Sequence, residues 1–246
     1  MNLLRPLVPV LQTAAALLYP PACVGCETSL RHGEYLCETC ADTTARIEPP
    51  FCQKCSQHFD GAISPDALFV CRECRANNFA FRHAVSARRH VNLARDLVVR
   101  FKYSREYYLR RPLVAWLAEA YRDDPRLHDP PPDALVPVPL HPRRERERTF
   151  NQAAVLARLL ARQIDLPVWR ALRRVRFTES QAALTRSQRL ENLRGAFALS
   201  RRRPVTGAHL LLIDDVFTTG STVHECTRVL LGSGAASVRV LTVTRR

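Results

Sequence analysis

Lysine is nearly absent from this chain. Lys54 and Lys102 are the only two, so almost all of the 37 basic residues are arginine. Arginine suits planar, bidentate contacts to phosphate, which a lysine point charge does not make. Acids are scarce as well: 23 Asp and Glu leave a formal net charge of +14 and a pI of about 10.1. A balance this basic points to a polyanionic partner, although a genome biased toward arginine codons raises the same number. Aromatic residues make up only 7% of the chain, so any nucleic-acid binding is expected to rest on charge more than on stacking. No apolar run reaches the ~20 residues a bilayer-spanning helix needs. The nearest candidate, residues 3–18, is interrupted by Arg5, Pro6, Pro9 and Gln12. It lacks the small-residue cleavage pattern of a signal peptide. It reads as a short amphipathic helix packed on the protein, which predicts no membrane insertion and a cytoplasmic location.

What the chain has is a 46% hydrophobic content over 246 residues, enough for one ordinary domain and a small one. The small one is marked by cysteine. Eight of the nine cysteines form four C-x-x-C pairs in the first third of the chain: Cys23/Cys26, Cys37/Cys40, Cys52/Cys55 and Cys71/Cys74. A C-x-x-C turn aims two thiolates at one point, and two such turns complete a tetrahedral Zn²⁺ shell. Four pairs predict two structural zinc ions. Sequential pairing is the simplest arrangement, and an interleaved one stays open. Disulfides do not suit a cytoplasmic chain, and four copies without a thioredoxin-like context do not suit redox chemistry. Cys226 stands apart and reads as a small buried hydrophobe. His58 and His83 are near the knuckles, but eight thiols already satisfy two metals.

Beyond the cysteines, apolar periodicity alternates between strand and helix. Residues 83–90 read as a strand, 91–103 and 105–122 as helices, 134–140 as a strand, 150–163 as a helix and 168–175 as a strand. Residues 177–203 are polar and irregular and are expected to fold over a site. Then come a strand at 210–216, a helix at 221–231 and a strand at 238–244. This alternation predicts a parallel sheet flanked by helices. The division expected is 1–80 for the helix and zinc ribbons and 81–246 for the α/β domain.

The richest stretch is 210–222, LLLIDDVFTTGST. A continuous apolar run is the pattern of a buried parallel strand. Asp214 and Asp215 follow it, at the sheet edge where open α/β folds bind ligands. Thr218, Thr219, Gly220, Ser221 and Thr222 then offer hydroxyls and backbone N–H groups at a helix N-terminus, a phosphate cradle. Acids for sugar hydroxyls followed by a phosphate cradle describe a ribose 5-phosphate site. The stretch resembles the PRPP-binding motif of type I phosphoribosyltransferases. A second segment, Pro137-Val138-Pro139 followed by 141–151, fits the position where that fold holds pyrophosphate. The prolines forbid a long ladder there. Arg143, Arg144, Arg146 and Arg148 add positive charge, which Glu145 and Glu147 partly neutralise.

Four elements together, V-P-V-P, R-x-F-N-Q-A, Q-x-x-L-x-R-x-x-R-x-x-N-x-R-x-x-F and D-D-V-x-T-T-G-S-T, resemble the ComF family of competence-associated proteins. The third element here is Gln181, Leu184, Arg186, Arg189, Asn192, Arg194 and Phe197. Phe101-Lys102-Tyr103 resembles that family's L-K-Y, and the cysteine knuckles precede the transferase fold as they do there. Thr149 departs from the family, which often carries glycine at that position. The resemblance implies a double zinc ribbon followed by a type I phosphoribosyltransferase-like α/β domain. It implies that Asp214 and Asp215 meet the ribose hydroxyls and that 218–222 hold the 5-phosphate. Pro137, Val138, Pro139 and Arg148 would border pyrophosphate and its Mg²⁺. Thr178, Gln181, Arg189 and Asn192 would belong to a loop that closes over the site.

Two chemistries lack their residues. Purine-salvage enzymes of this fold place an acid just before the T-G of the loop; here Thr218 stands there and cannot serve as a base at neutral pH. A nucleophile for glutamine hydrolysis is also missing. The resemblance therefore favours a protein of DNA uptake and transformation that binds PRPP and single-stranded DNA, with DNA-uptake or recombination proteins as further partners. The alternative is a metabolic phosphoribosyltransferase with a small acceptor. The arginines expected at a DNA surface are Arg143, Arg144, Arg173, Arg174, Arg201, Arg202 and Arg203, with Arg72, Arg75 and Arg82 from the zinc domain.

Overall fold

The computed structural model describes residues 21–31, 33–59, 61, 69–177, 192–200 and 204–246. The segment 3–18 read as an amphipathic helix lies outside these residues, as do Thr178, Gln181, Arg189 and Arg201–Arg203. The chain divides into two compact units, Met1–Thr44 and Ala45–Arg246.

The first unit is built on one cysteine cluster. An antiparallel bridge between Ala22 and Ser29 closes the first knuckle, and Cys23 N–H donates to Thr28 O at 2.8 Å. The second knuckle runs into helix α1, Glu38–Asp42. Cys37 is its N-cap, its sulfur accepting from Cys40 N–H, which satisfies a helix-end donor that would otherwise be unpaired.

The second unit opens with the same device. Phe51 bridges His58, and Cys71 caps helix α2, Arg72–Asn77, through its sulfur and Cys74 N–H. The second cysteine cluster thus lies in the same compact unit as the sheet. Alternating elements follow: β1 Ala84–Arg89, α3 Asn92–Tyr103, α4 Arg110–Asp123, β2 Ala134–Pro137, α5 Pro142–Arg148, α6 Gln152–Ile164, β3 Leu172–Arg174, β4 Phe197–Leu199, β5 His209–Phe217, α7 Ser221–Gly232 and β6 Ser237–Arg245. Pro112 sits in the first turn of α4, where its missing N–H costs no hydrogen bond.

Four strands form a parallel sheet in the order β1-β6-β5-β2. Leu210–Ile213 of β5 are fully buried, as are Val240, Leu241 and Val243 of β6, as expected of strands covered on both faces. The reading of 168–175 as a member of the parallel sheet needs correction. Val168 makes one bridge to Leu135, and Leu172–Arg174 pair antiparallel with Phe197–Leu199 in a separate two-stranded sheet. Periodicity specifies a strand but not its partner, and the N–H of residue 167 is missing because it is proline. Residues 142–148 are a short helix, with His141 as N-cap and Pro142 in the first turn.

Candidate functional site

All four parallel strands point their carboxyl ends at one edge. β5 runs on past its acids to Phe217 because β6 continues to pair with it through Thr244 and Arg245. Asp214 and Asp215 therefore sit within the second half of the strand, one on each face. Asp215 is buried and meets Lys102 Nζ at 2.7 Å. Lys102 lies in the last turn of α3, so one of the chain's two lysines is placed against the acid pair. Asp214 is half-buried and accepts from Asp215 N–H at 2.9 Å. Burial, and then the charge of Asp215, push its carboxyl up to about 7, with Lys102 and Arg148 opposing. Two adjacent carboxylates divide the work: one is ion-paired and the other holds its proton readily. His90, just past β1, hydrogen-bonds Thr244 at 2.8 Å. Burial and the nearby charges of Lys102, Arg246 and Arg95 push it down to about 4, so it is neutral.

The loop after β5 turns sharply into α7. Thr218 is exposed, Thr219 and Thr222 are half-buried, and Gly220 and Ser221 are buried. Gly220 is the N-cap at φ +78, and Thr219 and Ser221 hydroxyls lie 2.9 Å apart. A Cβ on Gly220 would stand 2.8 Å from Phe217 Cζ and 3.1 Å from Phe79 Cζ, so glycine is required by both conformation and space.

The segment after β2 approaches the same edge. Val138 N–H donates to Ile213 O at 3.0 Å. Asn151 Nδ2 donates to Val138 O at 3.1 Å while its Oδ1 caps α6 through Ala154 N–H. Asn151 thereby ties 137–139 to the helix. Phe150 packs on Phe101 and Tyr107. The F-N-Q part of the motif is thus scaffolding, and Arg148 is its site-facing member. Arg148 donates to Gln152 Oε1 at 3.3 Å and Tyr103 Oη at 3.0 Å. Thr149 is left-handed at φ +68, which accounts for glycine suiting this position.

Beside Asp215 lies a cleft of about 630 Å³ lined by Lys102, Tyr103, Arg105, Arg143, Arg144, Glu147, Arg148 and Phe177. Five cations face one anion. Of the expected site residues Arg148 lines this cleft, and Lys102 connects it to Asp215; 137–139, Asp214 and 218–222 do not line it, and Gln181 and Arg189 lie outside the described residues. Lys102, His90 and Tyr103 were not derivable from spacing; only the F-K-Y resemblance pointed to two of them.

The cysteines gather sequentially, as Cys23/Cys26/Cys37/Cys40 and Cys52/Cys55/Cys71/Cys74, with the sulfurs of each set within 4.8 Å of one another. A tetrahedron with Zn–S of about 2.3 Å has edges of about 3.8 Å. Cys26–Cys37 at 3.6 Å and Cys55–Cys71 at 3.8 Å fit it. Burial opposes ionisation of Cys23, but N–H donors from Cys37 and Gly25 outweigh it and lower its thiol to about 6. These sets suit a soft, tetrahedral divalent ion. His83 instead meets Gln53 O, and Cys226 is buried. No helix among the described residues is long and apolar enough to cross a membrane.

Comparison with known proteins fits both halves. Residues 14–75 match the double zinc ribbon domain and residues 151–246 the phosphoribosyl transferase domain. The chain is 32% identical over 236 residues to DNA utilization protein YhgH of Escherichia coli, covering 93% of this chain and 99% of that one. It is 29% identical over 227 residues to competence protein F of Haemophilus influenzae, covering 91% and 96%. It is 28% identical over 229 residues to competence protein ComFC of Bacillus subtilis, covering 88% and 86%.

Proposed function

The chain belongs to the ComF family, and from that premise we propose that it binds PRPP at the carboxyl edge of its sheet and handles single-stranded DNA in DNA uptake. One observation supports the reading: Lys102, which lines the cationic cleft, pairs with Asp215 on the strand whose end turns through 218–220 into α7. In this reading Asp214 and Asp215 accept hydrogen bonds from the two ribose hydroxyls. The 218–222 turn receives the 5-phosphate on backbone N–H groups at the start of α7. Arg148 and Lys102 draw the pyrophosphate into the cleft. Magnesium, when bound beside Pro137, Val138, Pro139 and Arg148, would neutralise pyrophosphate charge. Lys102 balances Asp215 in the free protein, which leaves Asp214 as the group that gives up a proton when ligand arrives.

The DNA part rests on where the few aromatics are. Tyr103, Tyr107, Tyr108 and Phe177 are the exposed large aromatics among the described residues, and two of them line the cleft. Arg148 lies over Tyr103, and Arg143 over Phe177, at 4.9 and 4.7 Å. Alternating flat rings and guanidinium groups form a stacking platform with an electrostatic funnel, where each stacked base gains ~1–3 kcal/mol. The weight expected for charge alone therefore shifts toward stacking at this spot.

Calorimetry with PRPP and Mg²⁺, and anisotropy with labelled oligo-dT at two salt concentrations, test the two parts. Asp214→Ala with Asp215→Ala should abolish PRPP binding. DNA affinity should fall with salt at ~0.7 in the log–log slope per phosphate and drop further in Tyr103→Ala with Phe177→Ala. PRPP binding without any DNA binding would return the chain to the metabolic transferase alternative. Undiminished PRPP binding by the double mutant would misplace the site.

A further inference from the structure

Arg245, the last residue of β6, is buried, and its guanidinium reaches in two directions. On one side Nε donates to Cys55 O at 3.2 Å and Nη2 lies 3.8 Å from Cys55 Sγ. On the other side Nη1 donates to Thr218 O at 2.9 Å and to Phe217 O at 3.4 Å; it also meets Arg246 O. The guanidinium stacks over the Phe217 ring at 4.6 Å. Phe217 is the ring that fills the space at Gly220, and it packs edge-on against Phe81, which stacks on Phe79.

We propose that Arg245 is a positioning residue that couples metal occupancy of the Cys52/Cys55/Cys71/Cys74 cluster to the shape, and hence the anion affinity, of the 218–222 loop. A peptide unit is planar and trans, so a carbonyl and the N–H that follows it point in opposite directions. By holding Phe217 O and Thr218 O, Arg245 fixes where the N–H groups of Thr218 and Thr219 point. Those N–H groups open the cradle. At the other end, four thiolates on a divalent ion leave a net negative charge. A guanidinium is permanently charged, so its contact with Cys55 is charge-assisted while the metal is present. Outer-shell contacts of this kind hold ligands and metal in register. With the metal gone, Cys55 is released, one end of the strut is free, and the Thr218 carbonyl can rotate, while Phe217 O stays held by Arg246 N–H at 3.0 Å. By linkage, an anion bound in the cradle must retain zinc in this cluster. The first cluster lies in the other compact unit. The affinity part rests on the PRPP reading above; the loop-shape part does not.

The test uses the full zinc-loaded chain and hydrogen exchange. Arg245→Gln should keep two zinc ions per chain at saturating zinc yet raise amide exchange across 217–222 above the parent's. Arg245→Lys keeps one charged donor without the fork and should fall between. In the parent, PRPP should slow removal of one zinc by a chromophoric chelator and leave the other unaffected; in Arg245→Gln it should slow neither. If Arg245→Gln fails to fold, Arg245→Lys and the parent zinc-release measurement carry the test. Parent-like exchange at 217–222 in a folded Arg245 variant would overturn the proposal, as would equal PRPP protection of both zinc ions. A parent chain that binds no PRPP would sink the functional reading and leave the exchange result to judge the strut alone.

Discussion

Replacing Gly220 by alanine separates two costs that a tight loop imposes. The backbone there is left-handed at φ +78, which costs an L-residue about 1–2 kcal/mol. The new methyl would also stand 2.8 Å from Phe217 Cζ and 3.1 Å from Phe79 Cζ. Both rings are buried and packed on other rings, so neither can swing aside cheaply. Overpacking of that kind costs about 1–3 kcal/mol. Gly207 supplies the control: it is left-handed too, at φ +73, but has nothing within 4 Å of its would-be Cβ. Gly207→Ala should show the backbone cost alone, and any gain from a stiffer unfolded chain is shared by both variants. At ~2–4 °C per kcal/mol for a unit of this size, Gly220→Ala should melt several degrees below Gly207→Ala in excess zinc. Melting points within one degree of each other would refute the reasoning, because the steric term would then be absent.

Asp214, held up at about 7, keeps its proton in the fold long after the unfolded chain has lost it. Its stabilising contribution is present below pH ~4 and is lost as pH rises through about 7. Asp214→Asn should therefore raise the melting temperature of the ligand-free protein more at pH 8 than at pH 5; an equal effect at both would contradict the assignment. Thr149→Gly should stabilise the chain by roughly 1 kcal/mol, since glycine suits the left-handed C-cap of α5. A lower denaturation midpoint would mean that the Thr149 hydroxyl bond to Arg148 O outweighs the strain. Chelators should take zinc in two phases, the first from Cys23/Cys26/Cys37/Cys40, where Cys26 is exposed, and the second from the fully buried set. Release in one phase, read by metal-sensitive absorbance, would show that burial does not set the order.

The central strand and its helix were legible because a buried parallel strand writes a continuous apolar run and a helix start writes glycine and hydroxyls. Leu210–Ile213 and Ser221 did both. The pairing of knuckles was not legible, because any C-x-x-C turn can share a metal with any other. Chain closure decided for neighbours in sequence. The antiparallel pairing of Leu172–Arg174 with Phe197–Leu199 was missed because alternation carries no information about partners. At 142–148 the charge run masked a helix start that His141 and Pro142 did signal. Lys102 is the instructive case. Nothing local distinguishes it from a solvated helix-end lysine, and its meaning lies in Asp215, far along the chain. The clustering of exposed rings is likewise invisible in a composition of 7%.

The two outer strands of the main sheet have their own consequence. β1 meets the 45–54 arm at both ends, with Ala84 N–H donating to Lys54 O and Arg89 N–H to Ala45 O. β2 is four residues long and is closed by Leu135 N–H to Pro167 O and Trp169 N–H to Leu135 O. Neither border leaves a long unpaired ladder on which a stray strand could template itself. Among the described residues, a main sheet rich in buried Leu and Val thus offers little border for edge-to-edge growth.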